Sequence, residues 1–184
     1  MAKRGNKQKV PTFKKASPKG KALYAYLFKP DTKFKGQEKF KMDLVLDIND
    51  PAVKDYLKAI KEFASEEAPG PGLPYEVDKD AGTAVVSFHT KNAPTVVDAD
   101  KKPITKEISV GNGSIVRVSA SFQPYEGFGG GVTAYLNAVQ VIEHVPYVPG
   151  VGEFDVEEGF SKDDEEGGDF GSSDEEVSDD DIPF

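Results

Sequence analysis

The sequence predicts a mainly β protein, a small five-stranded barrel with one prominent helix, followed by a disordered acidic C-terminal segment. Three observations carry that expectation. Apolar residues alternate with period two in five separate runs, while only one stretch shows the three-and-four spacing of a helix. Clusters of Gly and Pro punctuate the runs. After Gly150 the composition changes abruptly to Asp, Glu, Gly and Ser. A chain of 184 residues allows one ordinary domain with some length left over.

Residues 1–20 mix Lys3, Arg4, Lys7, Lys9, Lys14, Lys15 and Lys19 with Gly5, Pro11, Pro18 and Gly20. No apolar period runs through them, so they read as a flexible basic arm. The barrel domain is expected over residues 21–150. Its first strand begins at Lys21, with Leu23, Ala25 and Leu27 on one face and Tyr24, Tyr26 and Phe28 on the other, and ends at Pro30-Asp31. A loop with Lys33, Lys35 and Gly36 leads to Phe40, Met42, Leu44 and Leu46, whose alternation turns Lys39 and Lys41 outward. The two runs form a hairpin. Asp50 then offers an N-cap and Pro51 a first helical position, and Val53, Tyr56, Leu57, Ile60, Phe63 and Ala64 line one face of a helix over about 51–67. Ala68-Pro69-Gly70-Pro71-Gly72 stops it. Strands return at about 83–91 (Ala84, Val86, Phe88), 113–123 (Val116, Val118, Ala120, Phe122) and 132–144 (Val132, Ala134, Leu136, Ala138, Ile142). Five strands, one helix and Gly/Pro-rich turns fit an OB-fold-like barrel.

Residues 151–184 have too little apolar surface to offset the entropy of ordering, and their like charges repel. As a neutral coil they would reach roughly 30 Å, and charge extends them further. The net charge of −9 conceals a strong segregation. Residues 1–45 hold 13 Lys/Arg and 3 Asp/Glu, residues 46–150 hold 9 and 14, and residues 151–184 hold 1 and 15, giving +10, −5 and −14. A cationic body with an acidic tail points to a nucleic acid as partner.

Catalysis is hard to build from these residues. The absence of cysteine excludes disulfides, thiolate metal sites and thiol nucleophiles, and suits a reducing cytoplasm. No segment is long and apolar enough to span a bilayer, so no membrane partner is expected. His89 and His144 lie on different strands without metal-ligand spacing, and no G-x-S-x-G elbow is present. Flexible tail carboxylates cannot hold a metal or a general base in working geometry. Neither an enzymatic activity nor a cofactor is expected.

Binding of single-stranded DNA is easier to build, because it needs cations along phosphates and flat rings under bases. Tyr24, Tyr26 and Phe28 stand among Lys19, Lys21, Lys29, Lys33 and Lys35; each ring serves either as a stacking platform or as barrel core. Arg117 alternates with Val116 and Val118 and stands beside Ser119 and Ser121, where it either contacts phosphate or base or is simply solvated or paired with a carboxylate. Lys14 and Lys15 in the arm and Lys39, Lys41 and Lys91 on strands extend the candidate groove. Gly127-Phe128-Gly129-Gly130-Gly131 is either a plain turn or a loop that wraps a strand with Phe128 at its tip.

The ending Asp179-Asp180-Asp181-Ile182-Pro183-Phe184 is similar to the tip of bacterial single-stranded-DNA-binding proteins. The body differs from those proteins. Its segments Ala25 to Pro30 (AYLFKP), Ser114 to Ala120 (SIVRVSA) and Gly131 to Val141 (GVTAYLNAVQV) instead resemble a family of tailed-phage single-stranded-DNA-binding proteins, distantly related to helix-destabilising proteins of short-tailed phages. The resemblance implies an OB-fold, single-stranded DNA as ligand, and a role in replication, recombination or repair in the cytoplasm of an infected bacterium. It also implies that the tip docks replication and repair proteins, with Phe184 in an apolar pocket, its carboxylate on a cation and the aspartates steering towards a basic rim. The tethered polyanion should compete with DNA for the basic groove. Two rivals remain: an acidic DNA mimic or chaperone for basic proteins, and a nuclease. Homo-oligomerisation is left open.

Overall fold

Ala22 and Leu27 both reach the core although they are five positions apart, an odd spacing that a regular strand cannot produce. The computed structural model, which describes residues 9–33 and 35–147, shows how the chain manages it. The strand β2 (Gly20–Asp31) carries a bulge between Leu23 and Tyr26, and Tyr24 within it adopts a left-handed φ of 49°. The expected grouping of Leu23, Ala25 and Leu27 on one face is therefore interrupted. Ala22 and Leu27 are buried, Leu23 and Ala25 half-buried, and Tyr24 and Tyr26 exposed.

The chain of elements is β1 (Phe13–Ala16), β2, β3 (Lys39–Asp47), α1 (Pro51–Glu67), β4 (Tyr75–Asp78), β5 (Thr83–Thr90), β6 (Thr95–Val97), β7 (Ile115–Tyr125) and β8 (Gly131–Glu143). Strands β2, β3, β5, β8 and β7 pair in that order, and β7 returns to β2, so five strands make a closed ring of OB type with one helix, as expected. The β5–β8 contact is parallel and rests on one registered pair, His89 with Tyr135; the other junctions of the ring are antiparallel. β1, β4 and β6 are short additions on β7, β5 and β8 that period-two alternation does not announce. β1 corrects the reading of residues 1–20 as an arm without structure: Phe13 lies opposite Phe122, and its ring centroid is 5.8 Å from that ring and 5.6 Å from Phe63. Burial of one large ring holds a lysine-rich strand in place.

α1 forms where its caps and spacing place it. The Asp50 carboxylate accepts the Ala52 N–H at 2.8 Å, Pro51 opens the first turn, and Val53, Tyr56, Ile60 and Ala64 are buried. These pack with Met42, Leu44, Leu46, Val86, Phe88, Val116, Val118, Phe122 and Val139 into one core. Beyond α1, Gly72 donates to the Gly130 carbonyl at 3.1 Å and accepts from Val132 N–H at 2.8 Å. A Cβ on Gly70 would collide with the Gly129 carbonyl, and Gly130 has φ 80°. Those backbone contacts fix the base of the β7–β8 loop. The chain divides into units 1–152 and 153–184, and the second lies wholly outside the described residues.

Candidate nucleic-acid interface

Strand register brings together residues that lie far apart in the sequence. Tyr26 of β2 is opposite Lys41 of β3, Lys41 is opposite His89 of β5, and His89 is opposite Tyr135 of β8. Tyr135 is in turn opposite Ser121 of β7, and Ser121 opposite Lys14 of β1. Directly paired residues point to the same side of the sheet, so the six form a row across the strands on the outer side of the ring, in which Ser121 is largely covered, at 7% exposure. At about 4.8 Å per strand the row extends roughly 24 Å, room for several nucleotides. OB-folds bind about 4–16 nucleotides each.

The row joins rings to cations. Lys41 Nζ stands 5.3 Å from the Tyr26 ring centroid and forms an ion pair with Asp31 at 2.5 Å. That hydrogen-bonded pair raises the Lys41 pKa, while the Asp31 pKa is lowered by the same lysine and by the backbone N–H of Lys33. The His89 and Tyr135 rings are 5.5 Å apart and tilted by 59°. Burial, and then the nearby Lys39 charge, lower the His89 pKa, so the imidazole is neutral at pH 7 and offers a flat face instead of a charge. Tyr26 is 41% exposed and Tyr135 37%, which leaves ring surface open to a ligand. The Ser121 hydroxyl accepts from Asn137 Nδ2 at 2.8 Å. Tyr24, Lys41, Asp43, Ser87 and His89 border a shallow depression of about 300 Å³ beside the row.

Other residues singled out from sequence are dispersed. Lys15 is exposed next to Lys14 on β1, and Lys33 and Lys35 occupy the β2–β3 loop beyond Tyr26. Lys39 flanks the row, and Lys91 is exposed just past the end of β5. Lys19 and Lys21 border a separate depression with Asp47, Asn49 and Thr83. Phe28 is half-buried and packs against the core. Arg117 is exposed, lies opposite Gln140, and donates its Nε–H to the Ser17 carbonyl at 3.0 Å, so part of its donor set pins the turn between β1 and β2. Phe128 projects fully exposed from the β7–β8 loop with φ 53°. A bulky residue in that region is strained, and burial does not compensate for it here. Asp179, Asp180, Asp181, Ile182, Pro183 and Phe184 lie outside the described residues.

Residues 74–170, just over half of the chain, match the family described as Enterobacter phage Enc34, ssDNA-binding protein. The chain belongs to this family. Its fold is similar to that of gp2.5, a single-stranded DNA binding protein encoded by bacteriophage T7, with a TM-score of 0.65 and 22% identity over 82% of this chain and 99% of that one. It is also similar to the single-stranded DNA-binding protein of bacteriophage Enc34. The C-terminally truncated form gives a TM-score of 0.60 at 18% identity, over 73% of this chain and 88% of that one. The form in complex with single-stranded DNA gives 0.58 at 17% identity, over 73% and 89%. No curated protein matches the sequence.

The Enc34-type family is one of phage single-stranded-DNA-binding proteins, not enzymes. Among the described residues no group of three or more His, Asp or Glu could hold a metal ion, and no helix is long and apolar enough to cross a membrane. Tyr135 carries no signal of its own in the sequence, Ser121 shows only as a polar neighbour of Arg117, and His89 looks like an ordinary strand histidine. Alternation shows that these residues face outward, but only register shows that they are neighbours.

Proposed function

We propose that this Enc34-family protein binds single-stranded DNA without strong sequence preference across the outer row Tyr26–Lys41–His89–Tyr135–Ser121–Lys14, with Phe128 and the lysines of the β2–β3 loop extending the contact. The row is the observation that carries the reading. It interleaves stacking surfaces and cations at strand spacing along the outer surface of the ring, and none of its six members is a carboxylate. The Enc34 relative in complex with single-stranded DNA supports the choice of ligand. The bound strand is protected during phage replication and recombination in the host cytoplasm. Residues 21–150 are the binding domain, extended by β1, and the basic residues ahead of β1 add attraction for phosphate.

Residues 151–184, with charge −14 against +5 for residues 1–150, compete with DNA for the cationic face. Their final residues Asp179 to Phe184 recruit replication or repair proteins through an apolar anchor and a steering anionic cluster. A salt titration of fluorescent oligo-dT binding tests this with the full-length chain, a chain ending at residue 150 and a chain lacking Phe184. Truncation at 150 should tighten binding, most at low salt, and loss of Phe184 alone should leave DNA affinity unchanged. Weaker binding by the truncated chain would remove the competition. Failure of all three chains to bind would remove the single-strand reading itself.

A further inference from the structure

At the Tyr26 end of the row a second hollow opens. It has a volume of about 470 Å³ and is bordered by Tyr24, Ala25, Tyr26, Ser109, Val110, Asn112 and Tyr147. Tyr24 is 61% exposed and Tyr147 59%. Among the described residues no lysine, arginine, aspartate or glutamate borders it, so it is unsuited to a phosphate. Its walls are aromatic and its rim carries a hydroxyl and an amide, the chemistry that suits a flat, neutral, polar-edged ring.

The backbone is committed to this arrangement. Tyr24 reaches its exposed position only through the left-handed φ of 49°, a conformation that disfavours a bulky side chain. Its backbone N–H donates to Asn112 Oδ1 at 2.9 Å. The loop that presents Asn112 is stitched to β2, with Gly113 N–H donating to the Ala22 carbonyl at 2.9 Å and Ala22 N–H to the Ser114 carbonyl at 2.8 Å. With Oδ1 engaged, the Asn112 amide has its two N–H donors to offer an acceptor on a ligand. Tyr147 is brought up by Gly111 N–H bonding the Val145 carbonyl at 2.7 Å and by the Val110–Pro146 bridge. The hollow is continuous with the row, because Tyr26 belongs to both and Tyr24 borders both depressions.

We propose that this hollow takes one unstacked nucleobase of the bound strand, held between tyrosine faces with Asn112 donating to a ring or carbonyl acceptor on its edge. The proposal rests on the single-strand reading above and adds to it a discrete base subsite at one end of the path. The test uses full-length protein and the shortest oligo-dT that binds, with an abasic nucleotide placed at each position in turn. Wild-type protein should lose affinity roughly ten-fold at one position, a typical value for one base–aromatic stack. Tyr147→Ala should lose a similar amount on the intact oligonucleotide and become insensitive to the abasic nucleotide at that position, whereas Tyr147→Phe, which keeps the ring, should behave as wild type. Equal further losses for Tyr147→Ala at every abasic position would overturn the subsite. So would unchanged affinity of Tyr147→Ala for intact oligo-dT, and the row would still stand if Tyr135→Ala weakened binding. If wild-type protein bound no oligo-dT, the underlying reading would fail instead.

Discussion

Lys41 stands between an anion and a ring, and that geometry limits what it can offer a phosphate. Asp31 already pairs with its ammonium, so on the proposed path an incoming strand would have to displace the carboxylate before it gained the contact. Asp31→Asn should therefore tighten oligo-dT binding by roughly three-fold at low salt, the scale of an exposed ion pair, and the gain should shrink as salt rises. Fluorescence titration at two salt concentrations measures it, and weaker binding by the variant would mean that Asp31 orients Lys41 instead of masking it. His89 gives a stability prediction whose sign follows from its lowered pKa. The folded state releases the proton at a pH where the unfolded chain, with a value near 6.5, still holds it. Its contribution is thus complete above about pH 6.5 and is lost as pH falls from there through the folded value. Urea midpoints of wild type should drop between pH 7 and 5 by more than those of His89→Gln, and parallel curves would assign the drop to other groups.

Among the elements, β1 shows how four residues can be structural despite their composition. Phe13 bridges α1 and β7 through Phe63 and Phe122, while Lys14 takes the last place in the outer row. Phe13→Ala should cost about 2 kcal/mol of stability by denaturant melts, less than a fully buried phenylalanine because Phe13 is only half-buried. It should also weaken DNA binding at low denaturant if the strand lifts from β7. Most long elements were legible in the sequence for physical reasons, whereas in β8 register shifts move burial from the expected Ala138 and Ile142 to Val139 and Val141. β3, α1, β5 and β7 bury one face and keep their period, as Met42–Leu44–Leu46 and Val53–Tyr56–Ile60 do. β1, β4 and β6 have three or four residues each and owe their conformation to a partner strand, which a local pattern cannot reveal. The bulge in β2 hid for the same reason, since the acceptor for the Tyr24 N–H is Asn112, far along the chain. The glycine contacts beneath Phe128 likewise depend on the approach of two loops, although Gly70, Gly72 and Gly130 marked both as turns.

For the whole molecule, the class of ligand was legible in charge segregation and in rings set among lysines, but the interface was not. Tyr26, Lys41 and Lys14 could be picked out one at a time. Their alignment with His89, Tyr135 and Ser121 is a property of the closed ring, set by how five strands and an added sixth register against one another. One junction of that ring differs from the others. β5 and β8 meet in parallel at a single registered pair, and that pair is His89 with Tyr135, in the middle of the proposed DNA path. The ring thus has its fewest registered pairs on the proposed DNA path, and transient parting of the two strands there should be easier than at the long antiparallel junctions. A strand of DNA lying over both rings would act as a clasp. Hydrogen exchange should show amides along β5 and the first half of β8 slowing on addition of oligo-dT more than those of the β2–β3 pair, whereas equal protection would separate binding from closure. A protein read first as a passive cover for DNA would then be one whose own breathing the DNA restrains.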